Sequence, residues 1–192
     1  MKNNVVIIAE AGVNHNGSVE LAKKLIDAAY QAGADYVKFQ TFKTELSISR
    51  SATKAEYQIE NTGLIQETQF EMVKKLELSF EDFTILKAHA ETKPIGFLST
   101  GFDSESIDFL ADLGIDFFKI PSGEITNLPL LRKIASKGKT VVLSSGMADL
   151  EEIRTAINIL LEGGVTLDQI TALHCNTDGQ IVFTDICKSL IR

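Results

Sequence analysis

The chain has 192 residues, 44% hydrophobic and 23% charged, the profile of a soluble globular protein able to bury one ordinary domain core. Its formal net charge of −7 argues against a nonspecific nucleic-acid or anionic-membrane surface, since both call for a basic face. The opening MKNNVVIIAEAG is too short in its apolar run and too soon acidic for a secretory signal, and no run approaches membrane-spanning length, so a cytoplasmic protein is expected.

In chain order, a first strand is expected at about 4–9, with Glu10 directly after it. Ser18 then caps a helix whose stripe is Leu21, Ala22, Leu25, Ile26 and Ala29, ending at Gly33. A second strand follows at 35–40. Residues 42–65 lack periodicity and read as a long loop, either a cover for a site or a solvated excursion. Ser79 with Asp82 forms a capping box before Phe83, Leu86 and Ala90, and a strand follows at 95–99. Asp103 opens a helix through Ile107 and Leu110 to Gly114, before a strand at 116–120. Asn127-Leu-Pro129 opens the next helix, which ends near Gly138 and precedes a strand at 140–144. Asp149 with Glu152 caps a helix bearing Ile153, Ala156, Ile157 and Leu160 and stopped by Gly163-Gly164, and a last strand lies at 170–175.

Apolar strands alternating with amphipathic helices imply a parallel sheet covered by helices. No GxGxxG follows the first strand, which argues against a dinucleotide fold, whereas polar residues end nearly every strand, as when strand ends jointly line a barrel mouth. The expected fold is therefore α/β, a TIM (β/α) barrel, incomplete, with about six βα units where a full barrel has eight.

Two strands carry a lysine inside an apolar run, Tyr36-Val-Lys38-Phe-Gln40 and Phe117-Phe-Lys119-Ile120. Removing an ammonium from water is costly unless an anion meets it, so a bound anion is one reading; a lysine snorkelling at a strand end is the other. Period-two alternation puts Lys38 and Gln40 on one face, with Val37 and Phe39 on the other. After Lys119 comes Pro121-Ser-Gly-Glu124, and after the next strand Ser144-Ser-Gly146. Such small residues let hydroxyls and backbone N–H groups approach an oxyanion, although they are also ordinary turn chemistry. Glu10 and Glu124 could manage a proton, or Glu10 could simply pair with a lysine. Thr100, Phe102, Asn176 and Thr177 are further hydrogen-bonding or stacking candidates. His15, His89 and His174 complete no metal-ligand spacing, and His89 reads as a helix-surface residue. Cys175 and Cys187 likewise lack metal or redox spacing and read as reduced thiols.

The segments 7–17 (IIAEAGVNHNG), 32–42 (AGADYVKFQTF), 96–103 (GFLSTGFD), 117–131 (FFKIPSGEITNLPLL), 141–147 (VVLSSGM) and 173–178 (LHCNTD) together strongly resemble the sialic acid synthase family, which includes the N-acetylneuraminate, legionaminate and pseudaminate synthases. The resemblance covers residues 4 to 178 and implies a TIM-barrel enzyme that condenses phosphoenolpyruvate with an N-acylated mannosamine-type sugar to give a nonulosonic acid and phosphate. It also implies a Mn2+ or Mg2+ cofactor and a homodimer. On the matching positions, Lys38, Lys119, Ser122, Ser144 and Thr177 would hold phosphoenolpyruvate; Gln40, Thr100 and Phe102 would meet the sugar; Glu10 and Glu124 would orient or transfer a proton. Gly101 stands where the family commonly has proline, a change expected to loosen the turn. After Asp178 the family's Tyr-Pro-x-Pro segment is replaced, with Gly179 at the tyrosine position. The family's two metal-binding histidines and its C-terminal antifreeze-like domain have no counterpart in residues 1–192, so the expectation is the N-terminal part of a truncated barrel with no metal ligands of its own. Two competing expectations are a non-catalytic remnant that keeps an anion pocket and a Schiff-base aldolase with Lys119 as nucleophile.

Overall fold

A computed structural model of the chain describes residues 5–52 and 67–175, and the backbone of Ile181–Val182. It divides into two compact units, Met1–Phe97 and Leu98–Arg192.

In the first unit, β1 (Ile8–Gly12), α1 (Val19–Gln31) and β2 (Tyr36–Thr41) make a parallel strand–helix–strand unit. Ser18 caps α1 by accepting from the Leu21 N–H at 3.3 Å, and Gly33 takes φ +79° just beyond the helix end. Ala22, Ile26 and Ala29 are the buried stripe; Leu21, expected to belong to it, is exposed. The first strand lies later than the hydrophobic run suggests. Val5, Val6 and Ile7 are exposed, and the ladder begins only where β2 offers partners, with Ile8 opposite Tyr36. Glu10 therefore does not follow β1 but sits within it, opposite Lys38. Apolarity alone does not fix a strand; backbone pairing does.

After β2 the expected irregular loop holds a one-turn helix, α2 (Thr44–Ser47), while residues 53–66 lie outside the described residues. A further helix, α3 (Gln69–Lys74), was not anticipated, although its signal is present: Thr68 and Glu71 form a capping box. α4 (Phe80–Glu91) starts at the Ser79–Asp82 box and buries Phe83, Leu86 and Ala90. It packs on α1, where His89 Nε2 meets Asp27 Oδ1 at 2.8 Å and Lys93 joins the same carboxylate at 2.9 Å. His89 is thus a bridge between two helices rather than a free surface group.

Glu77 ties α2 to α3. Its carboxylate accepts from the Thr44 N–H at 2.9 Å and the Thr44 hydroxyl at 2.6 Å, and pairs with Lys74 at 3.0 Å. Burial pushes the Glu77 carboxyl up, but the Thr44 donors and Lys74 outweigh it and hold the group below its ordinary value of 4.5. A depressed folded-state value contributes stability that is present above the unfolded value and lost as pH falls through the folded one. The gap in melting temperature between the wild type and Glu77→Gln should therefore be open at neutral pH and close between about pH 5 and pH 3. A gap that is independent of pH over that range would contradict this role.

β3 (Gly96–Gly101) begins at the end of the first unit, with the Gly96 N–H donating to the Asp35 carbonyl at 2.8 Å. In the second unit, α5 (Ser104–Leu113) is capped by Asp103, which accepts from the Ser106 N–H at 2.8 Å, and it stops at Gly114 in the left-handed region. Then follow β4 (Phe117–Ile120), α6 (Leu128–Ala135), β5 (Thr140–Ser144), α7 (Leu150–Glu162) and β6 (Ile170–Cys175). β4, β5 and β6 are parallel, with Lys119 opposite Val142 and Ser144 opposite Leu173. A short β7 (Ile181–Val182) pairs antiparallel with β6. The expected caps hold: Asn127 for α6, and the Asp149–Glu152 box for α7. Phe118, Ile120, Val141 and Leu143 on the strands and Leu131, Ile134, Ala156 and Leu160 on the helices are all buried. Each fully buried side chain of this kind is worth roughly 1.5–3 kcal/mol. Among the described residues no helix is long and apolar enough to cross a membrane.

Candidate functional site

In the first unit, β2 alternates as expected. Val37 and Phe39 are fully buried, while Lys38 and Gln40 lie on the opposite, partly open face. Lys38 is ion-paired with Glu10 Oε2; the lysine side chain is 12% exposed and the glutamate 53%. Of the two uses foreseen for Glu10, the ion pair is the one the geometry realises. Gly12 completes this patch with φ +52°: a Cβ there would stand 3.4 Å from Glu10 Oε1 and 3.6 Å from Gln40 Nε2. Glu10, Lys38 and Gln40 are thus brought together over a position kept free of side chain.

Beside them the loop after β1 holds His15, only 1% exposed. Its Nδ1 accepts from the Gly17 N–H at 3.1 Å, which places the proton of the neutral ring on Nε2, and burial lowers its pKa. With Nδ1 engaged in the turn and the ring 6.1 Å from that of Phe39, His15 organises the loop.

In the second unit, Thr100 is buried within β3, and Phe102, just after that strand, is half-buried. Gly101 is buried at the end of β3, and a Cβ would lie 2.8 Å from Ile107 Cδ1 and 3.3 Å from Leu110 Cδ1, two side chains with no exposure and so no room to withdraw. Gly101→Val should cost at least about 1–3 kcal/mol by overpacking. Denaturant unfolding checks it, and an unchanged midpoint would contradict the packing described.

β4 alternates like β2, burying Phe118 and Ile120 and leaving Phe117 and Lys119 on the other face. Lys119 Nζ donates to the Ile120 carbonyl at 3.1 Å. The chain then turns through a 3-10 segment, Ser122–Glu124, where Glu124 accepts from Asn127 Nδ2 at 2.6 Å while Asn127 Oδ1 caps α6. Glu124 is thereby fixed to a helix start. Ser144 ends β5, almost fully buried, with Cys175 Sγ at 3.5 Å from its hydroxyl. Gly146 lies against both neighbouring strand ends, since a Cβ there would sit 3.3 Å from Ser122 Oγ and 3.5 Å from Cys175 Cβ. Ser122, Ser144, Gly146 and Cys175 therefore converge where β4, β5 and β6 end. Thr177 and Asn176 lie outside the described residues. The contributions of Gly12, at the end of β1, and of Cys175 were not foreseen, whereas Gly146 belongs to the small-residue run already singled out after β5.

Among the described residues no three His, Cys, Asp or Glu side chains come together in a way that could hold a metal ion. Glu10 is engaged with Lys38, and His174 is exposed on β6. The described residues thus do not fit a divalent-metal site of their own.

Strand-borne lysines with hydroxyls and glycines at successive strand ends are the arrangement that the sequence motifs share with the sialic acid synthases. The chain belongs to the NeuB family, whose model matches residues 25–189. It is 52% identical over 181 residues to the N,N'-diacetyllegionaminic acid synthase of Campylobacter jejuni, covering 94% of this chain and 54% of that protein. It is 49% identical over 182 residues to the synthase of the same name from Legionella pneumophila, covering 94% and 51%. The solved N-acetylneuraminic acid synthetase of Leptospira borgpetersenii, crystallised with citrate, superposes with a TM-score of 0.74 at 34% identity, over 91% of this chain and 55% of that one. The α/β fold of TIM-barrel type expected from the sequence is thereby established. The chain spans about half the length of the curated relatives it matches.

Proposed function

We propose that this chain carries phosphoenolpyruvate-binding residues of a synthase that condenses phosphoenolpyruvate with an N-acylated mannosamine-type sugar, giving a nonulosonic acid and phosphate, in the cytoplasm. The observation that carries the reading is the convergence of Ser122, Ser144 and Gly146 at the ends of adjacent parallel strands, one of which, β4, carries Lys119, in a chain of this family. Hydroxyls and an ammonium held on rigid strands suit a phosphate or carboxylate, because the donors are already oriented before the anion arrives. Lys119, Ser122 and Ser144 of the second unit hold phosphoenolpyruvate; Lys38 and Thr177 are assigned to it from the family resemblance alone. Gln40, Thr100 and Phe102 meet the sugar.

In the reaction the alkene electrons of phosphoenolpyruvate form the bond to the aldehyde carbon and charge grows on the aldehyde oxygen, which takes up a proton; water adds to the electron-deficient C2 left behind, and phosphate then departs to leave the keto acid. The lysines balance the charge of the bound anion and fix its orientation toward the aldehyde. Glu124, which accepts from Asn127 Nδ2, would orient a sugar hydroxyl or move a proton; Glu10 pairs with Lys38. Mn2+ or Mg2+ would polarise the aldehyde when bound. Because the described residues do not fit such a site, none of these roles depends on a metal held by them.

The test is phosphate release from phosphoenolpyruvate, assayed with N-acetylmannosamine and with the 2,4-diacetamido-6-deoxy analogue, with and without Mn2+. Sugar-dependent release supports the reading. Release that does not depend on sugar would contradict it, and so would trapping of a Lys119 adduct by borohydride, which would favour an aldolase.

A further inference from the structure

We infer that Cys175 is a positioning residue for the anion: its thiol holds the Ser144 hydroxyl with the serine proton turned toward the bound phosphate or carboxylate. The inference rests on the phosphoenolpyruvate reading of Ser144 and adds a group that this reading does not use.

A thiol has one proton to give, and among the described residues Cys175 Sγ has two acceptors within reach, Ser144 Oγ at 3.5 Å and the Leu173 carbonyl at 3.6 Å. The carbonyl is already served, since Ser145 donates to it twice, from its N–H at 3.1 Å and its hydroxyl at 2.8 Å. A carbonyl oxygen has two lone pairs, and both are taken. The thiol proton therefore goes to Ser144 Oγ. A serine hydroxyl that accepts from one neighbour keeps its own proton for another partner, and an anion is the natural recipient.

The surroundings fix this geometry. Ser144 ends β5 and is 7% exposed, Cys175 ends β6, and the two strands are paired in register through Ser144 and Leu173. A Cβ at Gly146 would crowd Ser122 Oγ at 3.3 Å and touch Cys175 Cβ at 3.5 Å, so both residues border this glycine. An apolar side chain at 175 would remove the donor, and Ser144 would then be free to turn its proton elsewhere. The thiol acts through Ser144 and does not itself need to touch the ligand.

Calorimetric titration of the full chain with phosphoenolpyruvate, for wild type, Cys175→Ala and Cys175→Ser, tests this, with a thermal melt of each variant. The expected result is about fivefold weaker binding for Cys175→Ala, as for loss of one neutral hydrogen bond, and substantial recovery in Cys175→Ser, which restores a donor, with all three melting alike. Equal affinity of wild type and Cys175→Ala would overturn the inference while leaving the anion site intact. Equal weakening by Ala and Ser would overturn it as well, because the donor would then not be what matters. Absence of phosphoenolpyruvate binding by the wild type would instead refute the anion-site reading itself, and the inference with it.

Discussion

Lys119→Ala is expected to weaken phosphoenolpyruvate binding by roughly tenfold to a hundredfold, the cost of removing a charged hydrogen bond of about 1.5–3 kcal/mol. The fold should survive the change. Lys119 lies on the partly open face of β4, whereas the buried contacts of that strand come from Phe118 and Ile120. The loss should therefore appear in a calorimetric titration and hardly at all in a melting curve. Lys38→Ala should weaken binding in the same direction, by more than about 1 kcal/mol. It also leaves Glu10 without its ion-pair partner, but that carboxylate is 53% exposed and can be solvated by water, so a large stability penalty is not expected. Unchanged affinity in both variants would remove the basis for assigning an anion to these lysines.

Phe39→Ala should behave in the opposite way. The ring is fully buried on β2 and stacks on Phe97 with centroids 5.6 Å apart, and the His15 ring lies 6.1 Å away. Truncation should cost about 3–5 kcal/mol, read as a shift in the urea midpoint at constant slope. Position 39 neighbours Lys38 in sequence yet faces the other way, so this pair of substitutions separates the two sides of one strand. A loss below about 1 kcal/mol would mean that the ring is not part of a packed core.

Much of this organisation can be read in the residues themselves. Helix starts were legible at Ser79–Asp82 and Asp149–Glu152, where a short polar side chain stands three residues before a partner, because capping is local chemistry. The same signal at Thr68–Glu71 shows that a one-and-a-half-turn helix is easily passed over when its apolar stripe is too short to register a period. The two faces of β2 followed from alternation, with Lys38 and Gln40 on one and the buried Val37 and Phe39 on the other. What could not be read was pairing. The run Val5–Ile7 is as apolar as any strand, but β1 starts at Ile8 because that is where Tyr36 offers a partner, and this moves Glu10 from a strand end into the ladder opposite Lys38. Register is a long-range property that composition does not encode. Gly101 makes the same point: its need for glycine comes from Ile107 and Leu110 on the next helix, not from its own turn.

The most direct measurement is a crystal structure of the full chain soaked with phosphoenolpyruvate. The account predicts its phosphate or carboxylate oxygens within hydrogen-bond distance of Lys119 Nζ, Ser122 Oγ and Ser144 Oγ, with the Cys175 thiol still directed at Ser144. Phosphoenolpyruvate bound away from the ends of β4 and β5, or none bound at saturating concentration, would contradict it.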